Sequence, residues 1–219
     1  MKKHFDVMRK CSLFNNIEDK DLETMMYCLD AKIERREKGE HFLSEGETAK
    51  FLGIVLSGKV QLVRVDYYGN RSIVTKLEPP QIFGEAFACA EIDALPISVV
   101  ATENTEVMLI DARRITQSCS NTCRFHSRLI FNLLKIVSWK NIEFNRKIEI
   151  TSKRSTRDKL MAYLDMQAKQ HGSKNFTIPY DRQSLADYLE VERSGLSAEI
   201  SKLRNEGIIE CKRSKFTLL

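Results

Sequence analysis

No apolar run in this sequence approaches the roughly 20 residues that a membrane-spanning helix requires. The opening MKKHFDVMRKCSLF has no h-region of the secretory kind. The expectation is a soluble, cytoplasmic protein with no membrane partner. There is no C-x-x-C among the six cysteines, Cys11, Cys28, Cys89, Cys119, Cys123 and Cys211, which in a reducing compartment read as free thiols. Cys119 and Cys123 would share a helical face, a weak signal for a metal or redox pair. No metal-ligand spacing, no Ser/His/Asp set and no paired carboxylates stand out, so neither an enzyme nor a metal site is expected. Large charge excess of one sign is also missing: 35 Lys and Arg against 30 Asp and Glu give +5. That small excess is concentrated, because residues 151–219 hold 13 basic against 9 acidic residues and the rest 22 against 21.

What is present points first to the C-terminal third. The stretch DRQSLADYLEVERSGLSAEISKLR reads as two short helices and a tight turn. Leu185, Ala186 and Leu189 share one face of the first helix, and Leu196, Ile200 and Leu203 recur at helical spacing in the second. Arg193, Ser194, Ser197 and Lys202 are left for an outward face. This is the helix-turn-helix pattern, whose second helix enters the DNA major groove. Gly207 closes the helix. Two β-type runs, Ile208 to Cys211 and Phe216 to Leu219, then flank the basic tip Lys212, Arg213, Ser214, Lys215 and read as a wing.

Residues 1–31 read as small helices, with Leu22, Met25, Met26 and Leu29 as an apolar stripe. From Lys38 to Ala112 the texture is β: six of the nine glycines punctuate runs at 51–56, 60–65, 72–77, 97–101 and 107–110, the pattern of a sandwich or roll. Gly69 and Asn70 make a hairpin turn. Residues 113–148 form the longest helical pattern, with Leu129, Leu133, Ile136 and Lys140 on a near-heptad line, a two-stranded seam. Polar residues 151–156 follow as a hinge, then a helix from Arg157 to Gln170. A short strand at 177–180 precedes Asp181, the cap of the next helix.

Taken in order, Lys38-Gly39-Glu40, Glu45-Gly46-Glu47, Leu56-Ser57-Gly58-Lys59-Val60, Tyr68-Gly69-Asn70-Arg71 and Phe83-Gly84-Glu85-Ala86 resemble the effector domain of the CRP/FNR family of bacterial transcription regulators. The resemblance continues into Val191-Glu192-Arg193-Ser194 and Glu206-Gly207-Ile208-Ile209, and so covers nearly the whole chain. It implies an α+β fold. A cyclic-nucleotide-binding-like antiparallel β-roll, jelly-roll-like, would span 1–112, a dimerisation helix and hinge 113–150, and a winged helix-turn-helix 151–219.

The resemblance also places sites. A turn such as Gly84-Glu85-Ala86 can offer backbone N–H groups to an anion while the Glu accepts from a sugar hydroxyl. Cyclic-nucleotide binders add an Arg-Ser or Arg-Ala pair that neutralises the phosphate. The matching residues here are Leu95 and Pro96, and nothing basic lies between Gly84 and Ala112. A buried phosphate without a cation is disfavoured by several kcal/mol. The expectation is therefore against cAMP or cGMP and for a small, partly apolar effector of unknown identity at Phe83, Gly84, Glu85, Ala86, Phe87, Leu95 and Pro96.

The N-terminal cysteine cluster of the iron–sulfur sensors is missing, since Cys11 is followed next by Cys28. His126, the one histidine on the long helix, reads as structural, against a haem. For DNA, Arg193 matches the first specificity position and suits guanine, followed by Ser194, Ser197 and Lys202. Gln183, Lys212 and Arg213 would meet phosphate. Glu190 replaces the usual turn glycine, and Gly195 sits inside the helix at a cost near 1 kcal/mol.

The function implied is a sequence-specific DNA-binding transcription regulator, a homodimer on a palindromic operator, answering to a small-molecule effector and contacting RNA polymerase. The alternative is a ligand-binding β-roll module that signals through protein contacts and carries a vestigial DNA domain.

Overall fold

The computed structural model describes residues 2–69, 71–116 and 124–219. The turn residue Asn70 and the pair Cys119 and Cys123 lie outside the described residues. The chain divides into two compact units, Met1–Trp139 and Lys140–Leu219.

The first unit opens with helices α1 (Phe5–Lys10) and α2 (Asp19–Cys28). Eight strands follow: β1 (Lys32–Arg36), β2 (His41–Leu43), β3 (Phe51–Ser57), β4 (Val60–Val65), β5 (Arg71–Leu77), β6 (Ile82–Phe83), β7 (Ser98–Ala101) and β8 (Thr105–Asp111). Helix α3 (Glu85–Cys89) stands between β6 and β7. The strands form two four-stranded antiparallel sheets, ordered β1-β8-β3-β6 and β2-β7-β4-β5. Neither sheet keeps sequence neighbours together throughout, which is the winding of a β-roll.

The apolar run of β3 follows from burial on both faces. Leu52, Ile54 and Leu56 point to a core shared with Leu22, Met25 and Met26 of α2. Val55, with the half-buried Phe51, points to a second core holding Val60, Val99 and Leu109. Alternate residues of β8 divide the same way, Met108 and Ile110 against Val107 and Leu109. A strand covered on both sides needs apolar residues at every position.

Three strands of the roll, β1, β2 and β6, were not legible in the sequence. β1 reads KIERR, four charges in five residues, yet pairs with β8 from Lys32↔Leu109 to Arg36↔Thr105. Its pairing comes from the backbone of β8, not from its own alternation.

After α4 (Ala112–Thr116), helix α5 (Arg124–Thr151) runs for 28 residues. Its Leu129 and Leu133 are 0% and 4% exposed and belong to the core under α1 and α2. Asn132 Nδ2 donates to the carbonyls of Leu13 and Asn15, both at 2.9 Å. Of Leu129, Leu133, Ile136 and Lys140, the line expected as a seam, the two leucines are buried by the protomer's own first residues, and Ile136 and Lys140 are half-buried. The open flank of α5 carries Phe131, Leu134 and Ile148, 57%, 62% and 61% exposed, with Ile142 beside them.

The second unit holds the end of α5, then α6 (Thr156–His171), β9 (Asn175–Thr177), α7 (Arg182–Leu189), α8 (Arg193–Asn205), β10 (Ile209–Lys212) and β11 (Lys215–Leu218). Its sheet is ordered β10-β11-β9. The strand expected at 177–180 lies at Asn175–Thr177 instead, pairing Phe176 with Phe216. Pro179, with no N–H to donate, falls outside the ladder. One core gathers Leu160 and Leu164 of α6, Leu185 and Leu189 of α7, Leu196, Ile200 and Leu203 of α8, and Phe216 of the wing.

Candidate nucleic-acid interface

Helix α7 starts where Asp181, extended, turns its carboxylate back to accept from the Ser184 backbone N–H at 2.7 Å. That bond, reinforced by the nearby Arg193 charge, holds the Asp181 carboxyl below the usual range. The helix buries Leu185, Ala186 and Leu189 and ends at Glu190, whose φ is +54°. A left-handed residue there lets Val191 N–H bond back to the Ala186 carbonyl at 3.0 Å and reverses the chain for α8. Leu196, Ile200 and Leu203 face inward. Arg193, Ser194, Gly195, Ser197, Ala198, Ser201 and Lys202 are all exposed.

Charge on the back of α8 is largely paired. Arg157 of α6 grips Glu206 with both nitrogens, at 3.0 and 2.5 Å, and reaches Glu199 at 3.5 Å. The Arg157 hydrogen bond keeps the Glu206 carboxyl below its ordinary value. Lys202 lies 3.8 Å from Glu199. The two acids of α8 and its C-terminus are thus held to α6, and Arg193 is left outward at the N-terminal end.

The wing is pinned beside α7. Arg182 stacks over the Phe216 ring at 5.4 Å and donates to Cys211 Sγ at 3.4 Å. Ser214 Oγ donates to the Tyr180 carbonyl at 3.0 Å. The tip between β10 and β11 turns through Arg213, with φ +55°, and leaves Lys212, Arg213 and Lys215 in solvent. Gln183, expected at phosphate, is exposed but donates to Asp187 one turn along its own helix at 2.8 Å.

In the roll, Gly84 is left-handed, with φ +76°, and opens α3. Phe83, Gly84, Glu85 and Leu95 are buried, Phe87 is half-buried, and Ala86 and Pro96 are exposed. The side chains of Phe83, Phe87 and Leu95 meet in the core between the two sheets. Leu95 N–H also donates to the Glu47 carbonyl at 2.8 Å, and Gly46 N–H to the Leu95 carbonyl at 2.9 Å, so the segment is fixed by backbone bonds to the 44–47 turn. Gly53 was the residue missed by sequence reasoning here. A Cβ on it would sit 2.1 Å from the Phe83 ring, so its bareness makes the ring's seat. Among the described residues no group of three or more His, Cys, Asp or Glu is gathered for a metal, and no helix is long and apolar enough to cross a membrane.

A β-roll, a long helix and a winged helix-turn-helix in one chain define the fold of a DNA-binding regulator. Residues 33–122 match the cyclic nucleotide-binding domain and residues 158–219 the Crp-like helix-turn-helix domain. In that order and over that span, they show that the chain belongs to the CRP/FNR family of transcription regulators. No curated protein matches its sequence.

Solved structures are similar in fold. The catabolite activator protein of Thermus thermophilus is 20% identical, with a TM-score of 0.56 over 95% of this chain and 93% of that one. The c-di-GMP responsive global regulator CLP of Xanthomonas campestris is 16% identical, with a TM-score of 0.57 over 91% and 99%. DNR of Pseudomonas aeruginosa is 20% identical, with a TM-score of 0.52 over 100% and 95%.

Proposed function

We propose that the chain is a cytoplasmic, homodimeric regulator that binds a palindromic operator and answers to a small-molecule effector other than cAMP or cGMP. The observation that carries the reading is the outward face of α8. Arg193, Ser194, Ser197 and Lys202 are each exposed, the acids on its back are tied to α6, and the wing cations Lys212 and Arg213 stand in the same unit.

In this reading Arg193 pairs with a guanine edge, a contact worth about 1–3 kcal/mol of discrimination. Ser194 and Ser197 lie beside it. Lys202, Lys212 and Arg213 neutralise phosphate, and Gln183 reaches phosphate only by leaving Asp187. The effector would lie against Phe83, Gly84, Glu85, Ala86, Phe87, Leu95 and Pro96. The apolar Leu95 in the position of a phosphate-binding arginine argues for an uncharged or partly apolar molecule. The fold relative CLP is c-di-GMP responsive, so this fold is used with effectors other than a cyclic mononucleotide.

Dimerisation would use the open flank of α5, where Phe131, Leu134, Ser138, Asn141, Asn145 and Ile148 follow a heptad line. Parallel pairing sets like against like along it, apolar ends on apolar ends and Asn on Asn. Contact with RNA polymerase is part of the same reading.

The test is selection of duplexes from a randomised pool by the purified protein at stated salt, with and without a metabolite extract. A palindrome enriched by the wild type and bound about tenfold or more weakly by Arg193→Ala supports the reading. No enrichment in either condition would favour a β-roll module whose DNA domain is vestigial.

A further inference from the structure

Glu190 stands where the chain reverses between α7 and α8, and its backbone is left-handed, with φ +54°. Glycine takes that conformation freely, whereas a residue with a Cβ is strained in it. What a glutamate brings to such a place is its side chain. The turn itself does not need the carboxylate. Its backbone is already closed by Glu190 N–H on the Asp187 carbonyl at 3.2 Å and Val191 N–H on the Ala186 carbonyl at 3.0 Å. Lys159 of α6 donates to the Leu189 and Glu190 carbonyls as well, at 3.3 and 3.4 Å.

The Glu190 carboxylate instead meets Lys147 of α5, 3.6 Å away. Lys147 is held from a second side, its Nζ lying 5.7 Å from the centre of the Tyr188 ring. That ring is fixed in turn, stacked on Tyr180 at 5.2 Å and tilted against the buried Tyr163 at 5.3 Å. One helical turn beyond Lys147, Ile150 is 3% exposed in the core that holds Leu160, Leu189 and Leu196. The end of α5 thus grips the helix-turn-helix twice, through Ile150 at its core and through Lys147 at its turn. An exposed ion pair stabilises a fold little, so the second grip bears on where α8 points rather than on whether the unit folds.

We propose that Glu190 is a positioning residue for DNA recognition: its carboxylate, through Lys147, sets the angle between the end of α5 and α8. This role rests on the DNA-binding reading above. It adds the route by which the helix of the proposed dimer seam aims the recognition helix at the groove.

The experiment measures binding of the selected duplex and of an unrelated duplex by the full-length wild type, Glu190→Gly, Lys147→Glu and the exchanged double variant Lys147→Glu/Glu190→Lys, with thermal unfolding of each. Glu190→Gly should melt no lower than the wild type. It removes an acid, which by charge alone would tighten binding to any duplex. Its ratio of specific to unrelated binding should nonetheless fall about tenfold. Lys147→Glu should lose as much, and the exchanged pair should recover most of the loss, because it restores both the ion pair and the net charge. An unchanged ratio in Glu190→Gly, or a double variant no better than Lys147→Glu, would overturn the role and leave the DNA-binding reading standing. A Glu190→Gly protein that melts lower would overturn it too, by making the carboxylate a matter of stability. A wild type that binds no duplex would remove the reading and the role together.

Discussion

Asp181 illustrates how much one exposed side chain can do for this molecule. Its carboxylate satisfies a backbone donor at the start of α7, and that bond lowers its pKa on folding. A depressed carboxyl contributes stability that is present above its unfolded value, near 3.9, and is lost as pH falls through the folded value. Asp181→Ala should melt at a lower temperature than the wild type at pH 7. The difference should shrink in melts run below about pH 4, where the wild-type carboxyl takes up its proton. Cys11 shows the opposite environment: burial pushes its thiol up to about 11, so at neutral pH it is a packing residue and not a thiolate.

At the scale of elements, α5 has two unlike flanks, and they should respond differently to mutation. Leu129→Ala removes side-chain atoms from a filled core and should cost about 2–5 kcal/mol in urea unfolding. Leu134→Glu, on the open flank, should leave the protomer's fold intact and shift the dimer toward monomer in sedimentation experiments. A dimer unaffected by Leu134→Glu would show that the seam lies elsewhere.

The two flanks also mark how legible α5 was. Its length and near-heptad pattern stood in the sequence, but Leu129 and Leu134 look alike there. Only the N-terminal helices packed on one of them decide which side is closed. The turn of the helix-turn-helix was better specified. Glu190 occupied the place of a glycine in the sequence, and it takes the left-handed backbone that the place demands. Lys147 adds support, 3.6 Å from its carboxylate and 5.7 Å from the Tyr188 ring centre.

For the whole molecule, charge follows the division into units. Lys140–Leu219 holds 16 Lys and Arg against 11 Asp and Glu, whereas Met1–Trp139 holds 19 against 19. The entire net charge of +5 therefore belongs to the unit with the helix-turn-helix, as a phosphate-binding surface requires. A dimer with this arrangement calls for half-sites about 34 Å apart, one turn of the duplex. Replacing both Lys212 and Arg213 by alanine should weaken binding uniformly across operator sequences. It should also reduce the log–log salt slope by about one unit for each phosphate contact removed. Unchanged salt dependence would exclude the wing tip from the interface.

The sequence alone determined the elements whose residues repeat with a clear period: the apolar strands of the roll, the long helix, and the two short helices with their buried leucines. Those patterns arise because each element must hide one face or both. It also carried the ordered motifs that mark the family. Tertiary structure decided what depends on partners distant in the chain. The charged strand β1 exists because β8 offers it a free edge. Leu95 and Phe83 share a core because α3 and the 44–47 turn bring them together. The flank of α5 that stays open was set by helices α1 and α2 closing the other. Period reports how an element meets its surroundings, but which neighbour it meets is fixed only when the chain closes on itself.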